Sequence, residues 1–465
     1  MSVQATPGFD LTPSATQQAL ASNYITNFDF LSQYLPDTYE KEFERYGNRS
    51  VSSFLRMVGA EMPSNSDLIK WAEQGRLHTK YVNCASDGAA GDDVATITIS
   101  DAAVAANGEQ AIRVGQTVYI YDNAGAGGNK AIVTAVASGA KTFDVAYYEA
   151  AGQVGAAGLT RSVFVYGSEF GKGTAGMAGS LEAEDNIFEC KPIIIKDKYA
   201  VSGSDMAQIG WVEVTTENGA TGYLWYLKSE HETRLRFDDY LETAMLEAVP
   251  MANTTNAALA DGTDGIFHVV SNRGNLWSGA NPSTLTNFDT IVQRLDKQGA
   301  IEENVLFVDR QFSFDIDDML AAQNSYGTDG TSYGLFDNDR DMALNLGFSG
   351  FRRGYDFYKS DWKYLNDPTM RGNMSTQTGS GRINGLLVPA GSTTVYDQVL
   401  GKNAKRPFLH VRYRASETED RRYKTWMIGS AGGAMNSDLD AMEVHFLSER
   451  ACCTMGANNF FLFEQ

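Results

Sequence analysis

Residues 162–166 (SVFVY) and 187–195 (IFECKPIII) flank a glycine-rich segment, GKGTAGMAG at 171–179, and a long helical pattern follows. Both flanking stretches are rich in β-branched and aromatic residues, which predicts two strands. The glycines between them favour a turn that adopts positive φ. We therefore predict a long hairpin over residues 161–203 with a flexible tip. The residues of this predicted tip are Gly171, Lys172, Gly173, Gly176 and Gly179.

The helical pattern begins after Gly222 and ends at Pro250, which cannot continue a helix. At about 1.5 Å per residue it would extend about 42 Å, which is long for a globular helix. Its apolar residues fall largely on one stripe. They are Leu224, Leu227, Leu235, Leu241, Met245 and Val249. Because a long hairpin with a flexible end cannot be buried within one subunit, we expect it to lie on a neighbouring copy. This favours assembly over catalysis.

The composition limits the classes of function. The chain has 465 residues, 43% of them hydrophobic, which is enough for two or three packed units. Its formal net charge is −20. A sequence-independent nucleic-acid binder needs a basic surface, so the charge argues against that class. It is compatible with a container wall that encloses DNA without binding it tightly.

The cysteines and the termini give no sign of a metal site or of export. Cys84, Cys190, Cys452 and Cys453 match no zinc-site spacing, so we expect free thiols in a reducing compartment. Residues 1–30 contain no Lys or Arg and no apolar core, so we expect no secretory signal. We expect no membrane partner, since no apolar run approaches the length that crosses a bilayer.

The rest of the chain divides by pattern. Residues 1–62 form a polar arm that includes a helical stretch at 37–46, and Ser64 to Asp67 resemble a helix cap. In residues 85–160 small residues dominate, glycine recurs and charges are few. Four segments, several with side chains that alternate with period two, predict an inserted β-barrel or sandwich. These segments are 95–99, 114–121, 131–136 and 143–148.

After Pro250 the pattern is mixed α/β. We predict a helix capped by Thr286 and ended by Gly299, a buried strand at 304–309 and a helix capped by Ser313. Near the C-terminus we predict a hairpin between residues 408–414 and 421–428, followed by strands at 443–447 and 460–463.

Catalytic motifs are incomplete. The segment 171–176 matches G-x-G-x-x-G, but no helix follows it within a βαβ unit. His231-Glu232 begins the zinc-protease pattern, yet Leu occupies position 235. Asp337, Asp339 and Asp341 imitate a calcium loop that lacks its glycine and closing glutamate. We predict no catalytic, cofactor or metal site.

The order of these elements resembles the major capsid protein of tailed double-stranded DNA phages, the Hong Kong 97-type fold, with features similar to the crAss-like group. Three stretches carry the resemblance: 224–249 as the spine helix, 288–320 as the helix–strand–helix unit of the axial domain, and 440–463 as the closing strands.

The resemblance implies an α+β chain with an N-terminal arm at 1–62, the start of a peripheral domain at 63–84 and the insertion at 85–160. It further implies an E-loop at 161–203, the spine helix and peripheral domain at 204–250, an axial domain at 251–404 and closing strands at 405–465. Gly171, Lys172, Gly173, Gly176 and Gly179 would then serve assembly at the E-loop tip, and the leucines and Met245 would serve it on the spine helix.

The same resemblance implies a non-enzymatic, self-assembling icosahedral shell protein of the virion, assembled in the bacterial cytoplasm. Its partners would be further copies in hexameric and pentameric capsomers, scaffolding and portal proteins, a decoration protein, and non-specifically packaged DNA. Some members of the family crosslink through an E-loop lysine; Lys172 lies suitably, but its Asn and Glu partners are not identified.

Two alternatives stay open. The chain could be another virion component, namely a tail, decoration or adhesin protein that uses residues 85–160 for binding. It could also be an enzyme with a dispersed active site, which short motifs do not reveal.

Overall fold

The computed structural model describes residues 60–100, 110–125, 127–137, 139, 141–158, 160–179, 185–207, 214–215, 221–222, 225–252, 261–299, 301–323, 349–372, 382–390, 392–397, 402–433 and 435–465. The predicted helical stretch at 37–46 and the aspartates near 337–341 lie outside these residues, as does nearly all of the predicted arm.

The described chain is mixed α/β, with more strands than helices. In chain order its strands are β1 (Ala60–Ser64), β2 (Ile69–Gln74), β3 (Lys80–Ser86), β4 (Val94–Thr98), β5 (Gln116–Asp122), β6 (Gly127–Ala137), β7 (Thr142–Tyr147), β8 (Arg161–Ser168), β9 (Asp185–Cys190), β10 (Ile193–Ser202), β11 (Val214–Thr215), β12 (Thr221–Gly222), β13 (Asn275–Ser278), β14 (Glu303–Val308), β15 (Gly350–Arg353), β16 (Tyr355–Asp361), β17 (Ile383–Pro389), β18 (Ser392–Asp397), β19 (Lys402–Pro407), β20 (Leu409–Arg414), β21 (Lys424–Gly429), β22 (Ala441–Thr454) and β23 (Phe461–Glu464). Its helices are α1 (Gly203–Met206), α2 (Trp225–Glu247), α3 (Ile266–Arg273), α4 (Leu285–Gln298), α5 (Arg310–Gln323) and α6 (Lys363–Asn366), with a 3₁₀ turn at Ala457–Asn459.

The chain folds as two compact units. One is Trp71–Phe188, and the other combines the residues before and after it. Within Trp71–Phe188, six antiparallel strands close into a barrel in the order β3-β4-β7-β6-β5-β8. Its interior is filled by alternating apolar side chains such as Ile97, Val118 and Val145, each fully buried.

The predicted insertion is therefore a barrel and not a sandwich, and the four predicted strands correspond to β4 to β7. The predicted bounds of 85–160 were too narrow. β3 and β8 complete the wall, because a closed barrel needs a partner on both edges of every strand.

The predicted pairing of the two hairpin arms is wrong. β8, the first arm, pairs with β3 and β5 inside the barrel, where Val163 is buried. The second arm divides into β9, which pairs with β2, and β10, which pairs with β22. Each arm thus finds its partner far away in the chain, where its apolar side can be buried.

The larger unit contains two main sheets. A five-stranded sheet has the order β1-β20-β22-β10, with β21 also paired to β22. β1 and β20 run parallel, and the remaining pairs are antiparallel. Of the predicted hairpin between residues 408–414 and 421–428, the structure forms the turn end, where Ala415 and Asp420 bridge and the Arg421 amide donates to the Arg414 carbonyl at 2.9 Å. Beyond that turn, β20 and β21 pair with different halves of β22.

A six-stranded sheet has the order β13-β23-β17-β14-β16-β15. Alternate residues of its strands enter two separate cores. Leu306 and Val308 of β14 pack with α4 and α5, whereas Phe307 packs with α3 and the end of α2. All residues of β17 are buried, which is explained by the apolar residues on both of its faces.

The spine-like helix α2 has 23 residues, so at about 1.5 Å per residue it measures about 35 Å rather than the predicted 42 Å. Of the predicted apolar stripe, Leu241 and Met245 are buried, whereas Leu235 is only half-buried. Val249 lies beyond the helix and is exposed, whereas Phe237 carries much of the packing. Leu224 lies outside the described residues.

Two helix starts differ from their predictions, and one predicted helix is absent. Thr284, not Thr286, caps α4, accepting from the Asn287 amide, while Gly299 ends it in the left-handed region as predicted. The Asp309 carboxylate, not Ser313, caps α5 by accepting from the Phe312 amide at 2.7 Å. Residues 64–67 do not start a helix but join β1 to β2.

We predict that Phe237→Ala lowers the free energy of unfolding by about 3–5 kcal/mol, since it opens a cavity in a close-packed core. The Phe237 ring is fully buried against Tyr423 and Phe446, at centroid distances of 5.3 and 5.7 Å. Urea denaturation followed by circular dichroism measures the change. Tyr240→Ala on the exposed side of the same helix is the matched control and should cost less than about 1 kcal/mol. Equal losses from both variants would contradict the assigned core.

Candidate assembly surfaces

β2 and β9 form a two-stranded ribbon that joins no other sheet in the described structure. Its cross-strand contacts include an aromatic pair and an ion pair. The Trp71 and Phe188 rings lie 6.2 Å apart, and Lys70 Nζ lies 3.0 Å from Glu189 Oε2. Both charged side chains are more than half exposed, so this ion pair contributes little to stability.

The ribbon is poorly buried. No residue of β2 is buried, and Cys190 is the only buried residue of β9. Ile187 is 68% exposed, and Leu77, which follows β2, is 89% exposed. An isolated two-stranded ribbon is at best marginally stable in water. The ribbon is thus a largely exposed, extended element of the described residues.

The glycine-rich segment 171–179 follows the barrel strand β8 and is exposed throughout. Phe170 directly precedes this segment. Its ring lies against Gly115, in the space that a Cβ at that position would need. Gly173 and Gly179 adopt φ of 80° and 81°, as predicted for this composition. Lys172 is exposed, and Gly171 and Gly176 lie beside it in the same segment. The assembly role of these five residues stays a prediction.

The predicted apolar stripe of α2 lies within the subunit where it is described. Leu241 packs with Phe446 and Val444 of the five-stranded sheet, and Met245 packs in the core next to α3. The side chain of Leu227 lies outside the described set. The outer side is polar: Arg234 pairs with Glu230 at 3.4 Å and Arg236 with Asp197 at 3.2 Å. Leu241 and Met245 therefore support the helix rather than offer a contact surface.

An ionic cluster that sequence reasoning missed links β1 to β22 within the five-stranded sheet. The Glu61 carboxylate bridges the guanidinium groups of Arg422 and Arg450. Burial lowers the pKa of Arg450, and the adjacent Glu61 opposes that effect. Glu61 and Arg450 are far apart in sequence, so only the parallel pairing of β1 with β20 brings them together.

The described residues contain no group of three or more His, Cys, Asp or Glu side chains that could hold a metal ion. The 171–176 glycines do not open a helix, so they lack the geometry of a dinucleotide loop. His231 is an exposed residue of α2. No helix in the described part of the chain is long and apolar enough to cross a bilayer.

No protein-family model and no curated protein matches this chain. Solved structures similar to it include phage chains and the capsid of a GTA particle. A Microbacterium phage Oxtober96 chain is 10% identical, with 94% of this chain and 96% of that chain covered at a TM-score of 0.38. The capsid of a native GTA particle is 9% identical, with 93% and 95% covered at 0.38. The mature capsid of bacteriophage PhiM1 is 9% identical, with 64% and 78% covered at 0.33.

We predict that Trp71→Ala speeds amide exchange in β2 and β9 by up to about tenfold, because an aromatic pair contributes about 0.5–1.5 kcal/mol. Hydrogen–deuterium exchange read by mass spectrometry resolves this change from exchange in the barrel. Ile187→Ala, on the same ribbon but largely exposed, is the control and should change exchange little. An equal acceleration in barrel strands would show general destabilisation instead.

Proposed function

We propose that this chain is the major capsid protein of a tailed double-stranded DNA phage, with a Hong Kong 97-type fold, that assembles with further copies into an icosahedral head. The observation that carries this proposal is the β2–β9 ribbon, an extended element with little burial in its own subunit. A second copy of the chain is the simplest surface to cover it, since every copy in a closed shell has neighbours in fixed positions.

The order of the elements supports the same function. The ribbon leads into the long edge strand β10, then the helix α2 packed on that sheet, then the six-stranded sheet and finally β22 and β23. In the proposed assignment, β2 and β9 replace residues 161–203 as the core of the E-loop, and the barrel is an insertion between them. α2 is the spine helix, and the six-stranded sheet belongs to the axial domain.

The proposed mechanism is geometric. Each copy lays its ribbon on a neighbour, and many modest interfaces add up because the contacts within a shell form together. The acidic chain suits a wall that encloses DNA and does not hold it, since it carries 58 acidic against 38 basic residues. Scaffolding and portal proteins are the expected partners, with the virion as the final location.

We predict that Ile187→Asp prevents shell formation and leaves the subunit folded, because it places a charge in the contact surface of the ribbon. Val94→Asp, at an equally exposed apolar position of the barrel, is the matched control and should still assemble. Negative-stain microscopy and sedimentation of the full chain, alone and with a candidate scaffold, measure the outcome. Deletion of residues 171–179 tests the glycine-rich segment in the same assay. Small uniform oligomers from the wild-type chain under both conditions would refute the capsid proposal.

The barrel favours a second candidate function, carbohydrate binding by a virion adhesin or decoration protein. Its outer wall carries aromatic residues in adjacent register: Tyr119 of β5 lies opposite Phe164 of β8, and the Tyr119 and Tyr121 rings stack at 6.5 Å. Lys130 and Lys80 extend the same row on the neighbouring strands. Exposed rings bordered by hydrogen-bond donors suit stacking against sugar rings.

We predict that, if the barrel binds carbohydrate, Phe164→Ala and Tyr121→Ala each weaken binding about tenfold, as expected when about 1.4 kcal/mol of stacking is lost. A glycan array probed with the full chain identifies a ligand, and calorimetry measures the variants. Val94→Ala, at an exposed apolar position of β4 outside this row, is the control. An array without any binding would exclude this second function and leave the capsid proposal untouched.

A further inference from the structure

Two buried thiols meet between the end of β9 and the end of β22. Cys190 is the last residue of β9, and Cys453 lies near the end of β22. Their sulfur atoms lie 3.4 Å apart, and their residues are 3% and 1% exposed. Both cysteines are free thiols in this structure, and they belong to the same compact unit.

The strand register explains the contact. β10 and β22 pair antiparallel, with Ile193 opposite Arg450. Continuing this register three residues beyond the start of β10 places Cys190 opposite Cys453. Directly opposed residues of antiparallel strands have Cβ atoms about 4.5–5.5 Å apart and point to the same face. A disulfide has a bond of about 2.05 Å, so its formation needs the sulfurs to approach by about 1.4 Å.

The neighbouring Cys452 is placed differently. Successive residues of a strand point to opposite faces, so Cys452 faces away from Cys453. It packs instead in the apolar core with Leu409 and Leu386. Cys84 lies in the interior of the barrel. Of the four cysteines, only Cys190 and Cys453 therefore have the geometry to form a bond.

We propose that Cys190 and Cys453 are a disulfide-forming pair, which a peroxide oxidises so that the end of β9 is tied covalently to β22. In the first step the Cys190 thiolate attacks hydrogen peroxide: an S–O bond forms, the O–O bond breaks and hydroxide leaves. The Cys453 thiolate then attacks the sulfenic sulfur, so that the S–S bond forms, the S–O bond breaks and a second hydroxide leaves. The two hydroxides take up the protons that the two thiols lost on ionisation and become water. In total, two thiols and one peroxide give one disulfide and two waters.

The surroundings explain why the pair stays reduced until an oxidant is present. The contact with Cys453 and burial both raise the pKa of Cys190, with Asp264 acting in the same direction and Arg412 against it. Thiolate, the reactive form, is therefore scarce at neutral pH. Under the proposed function, oxidation would follow release of the particle from a reducing cell, but the chemistry of the pair does not rest on that function.

Because the bond would close a loop from residue 190 to residue 453, it would restrict the unfolded chain strongly. It would also hold the base of the ribbon, since Cys190 directly follows Glu189, which pairs with Lys70 across the ribbon. The pair is thus a modification site whose oxidation fixes the end of β9 to β22.

The test is oxidation of the reduced full chain with hydrogen peroxide, with glutathione in the same tube as an internal standard. The remaining thiols are then alkylated under denaturing conditions, and the protein is digested without reductant for mass spectrometry. We expect loss of two hydrogen atoms, one peptide pair that joins Cys190 to Cys453, and full alkylation of Cys84 and Cys452. Amide exchange in residues 188–193 should slow by about tenfold, and dithiothreitol should reverse both changes.

The variants separate this bond from general oxidation. Cys190→Ser and Cys453→Ser should each abolish the linked peptide, whereas Cys452→Ser, an equally buried neighbour, should retain it. Circular dichroism confirms that the variants are folded. Linkage through Cys452, linkage only between separate chains, or recovery of all four thiols after the glutathione standard is fully oxidised would each overturn the proposal.

Discussion

Hydrogen bonding along β22 is the constraint on which most of the larger unit depends. This strand has 14 residues and pairs with β10 along one edge and with β20 and then β21 along the other. From Phe446 to Thr454 all its residues are buried. Its even-numbered residues Met442, Val444 and Phe446 form the surface against which Phe237 and Leu241 of α2 pack. The position of the long helix therefore follows from the sheet, since most helices gain their stability from packing rather than from propensity.

The ribbon shows how the chain can carry a second folded unit without disturbing the first. In sequence, β2 precedes and β9 follows the six strands of the barrel, which is closed and has its own core. The entropy lost on closing a loop grows only with the logarithm of its length, so an insertion that folds by itself adds little cost to the ribbon pairing. A closed barrel also presents no free strand edge that could pair with another chain. Both properties make the ribbon a tolerant place for an insertion.

Local sequence patterns predicted those helices and strands that local interactions determine. The barrel strands, α4 with its glycine end, the buried β14 and the closing β23 all follow from alternation, capping and composition. The pairings of the candidate surface could not be predicted in this way. β2 pairs with β9 although the whole barrel separates them in the sequence. β20 and β21 both pair with β22, although the short loop between them suggested that they form a hairpin. The predicted pairing of the two arms is wrong because Val163 of β8 is buried in the barrel core. No residue near Val163 in the sequence indicates this burial.

Charge limits which contacts between copies can drive association. The formal net charge of −20 makes copies repel one another, although at physiological salt this repulsion is screened beyond about 8 Å. Several cations of the larger unit already pair within their own subunit, including Lys359 with the largely buried Asp317 and Arg353 with Asp289. In the proposed shell, short-range apolar contact at Ile187 would contribute to the attraction between copies. Association through this surface would be weak for one contact and strong only when many form together, which is the behaviour that a closed shell requires.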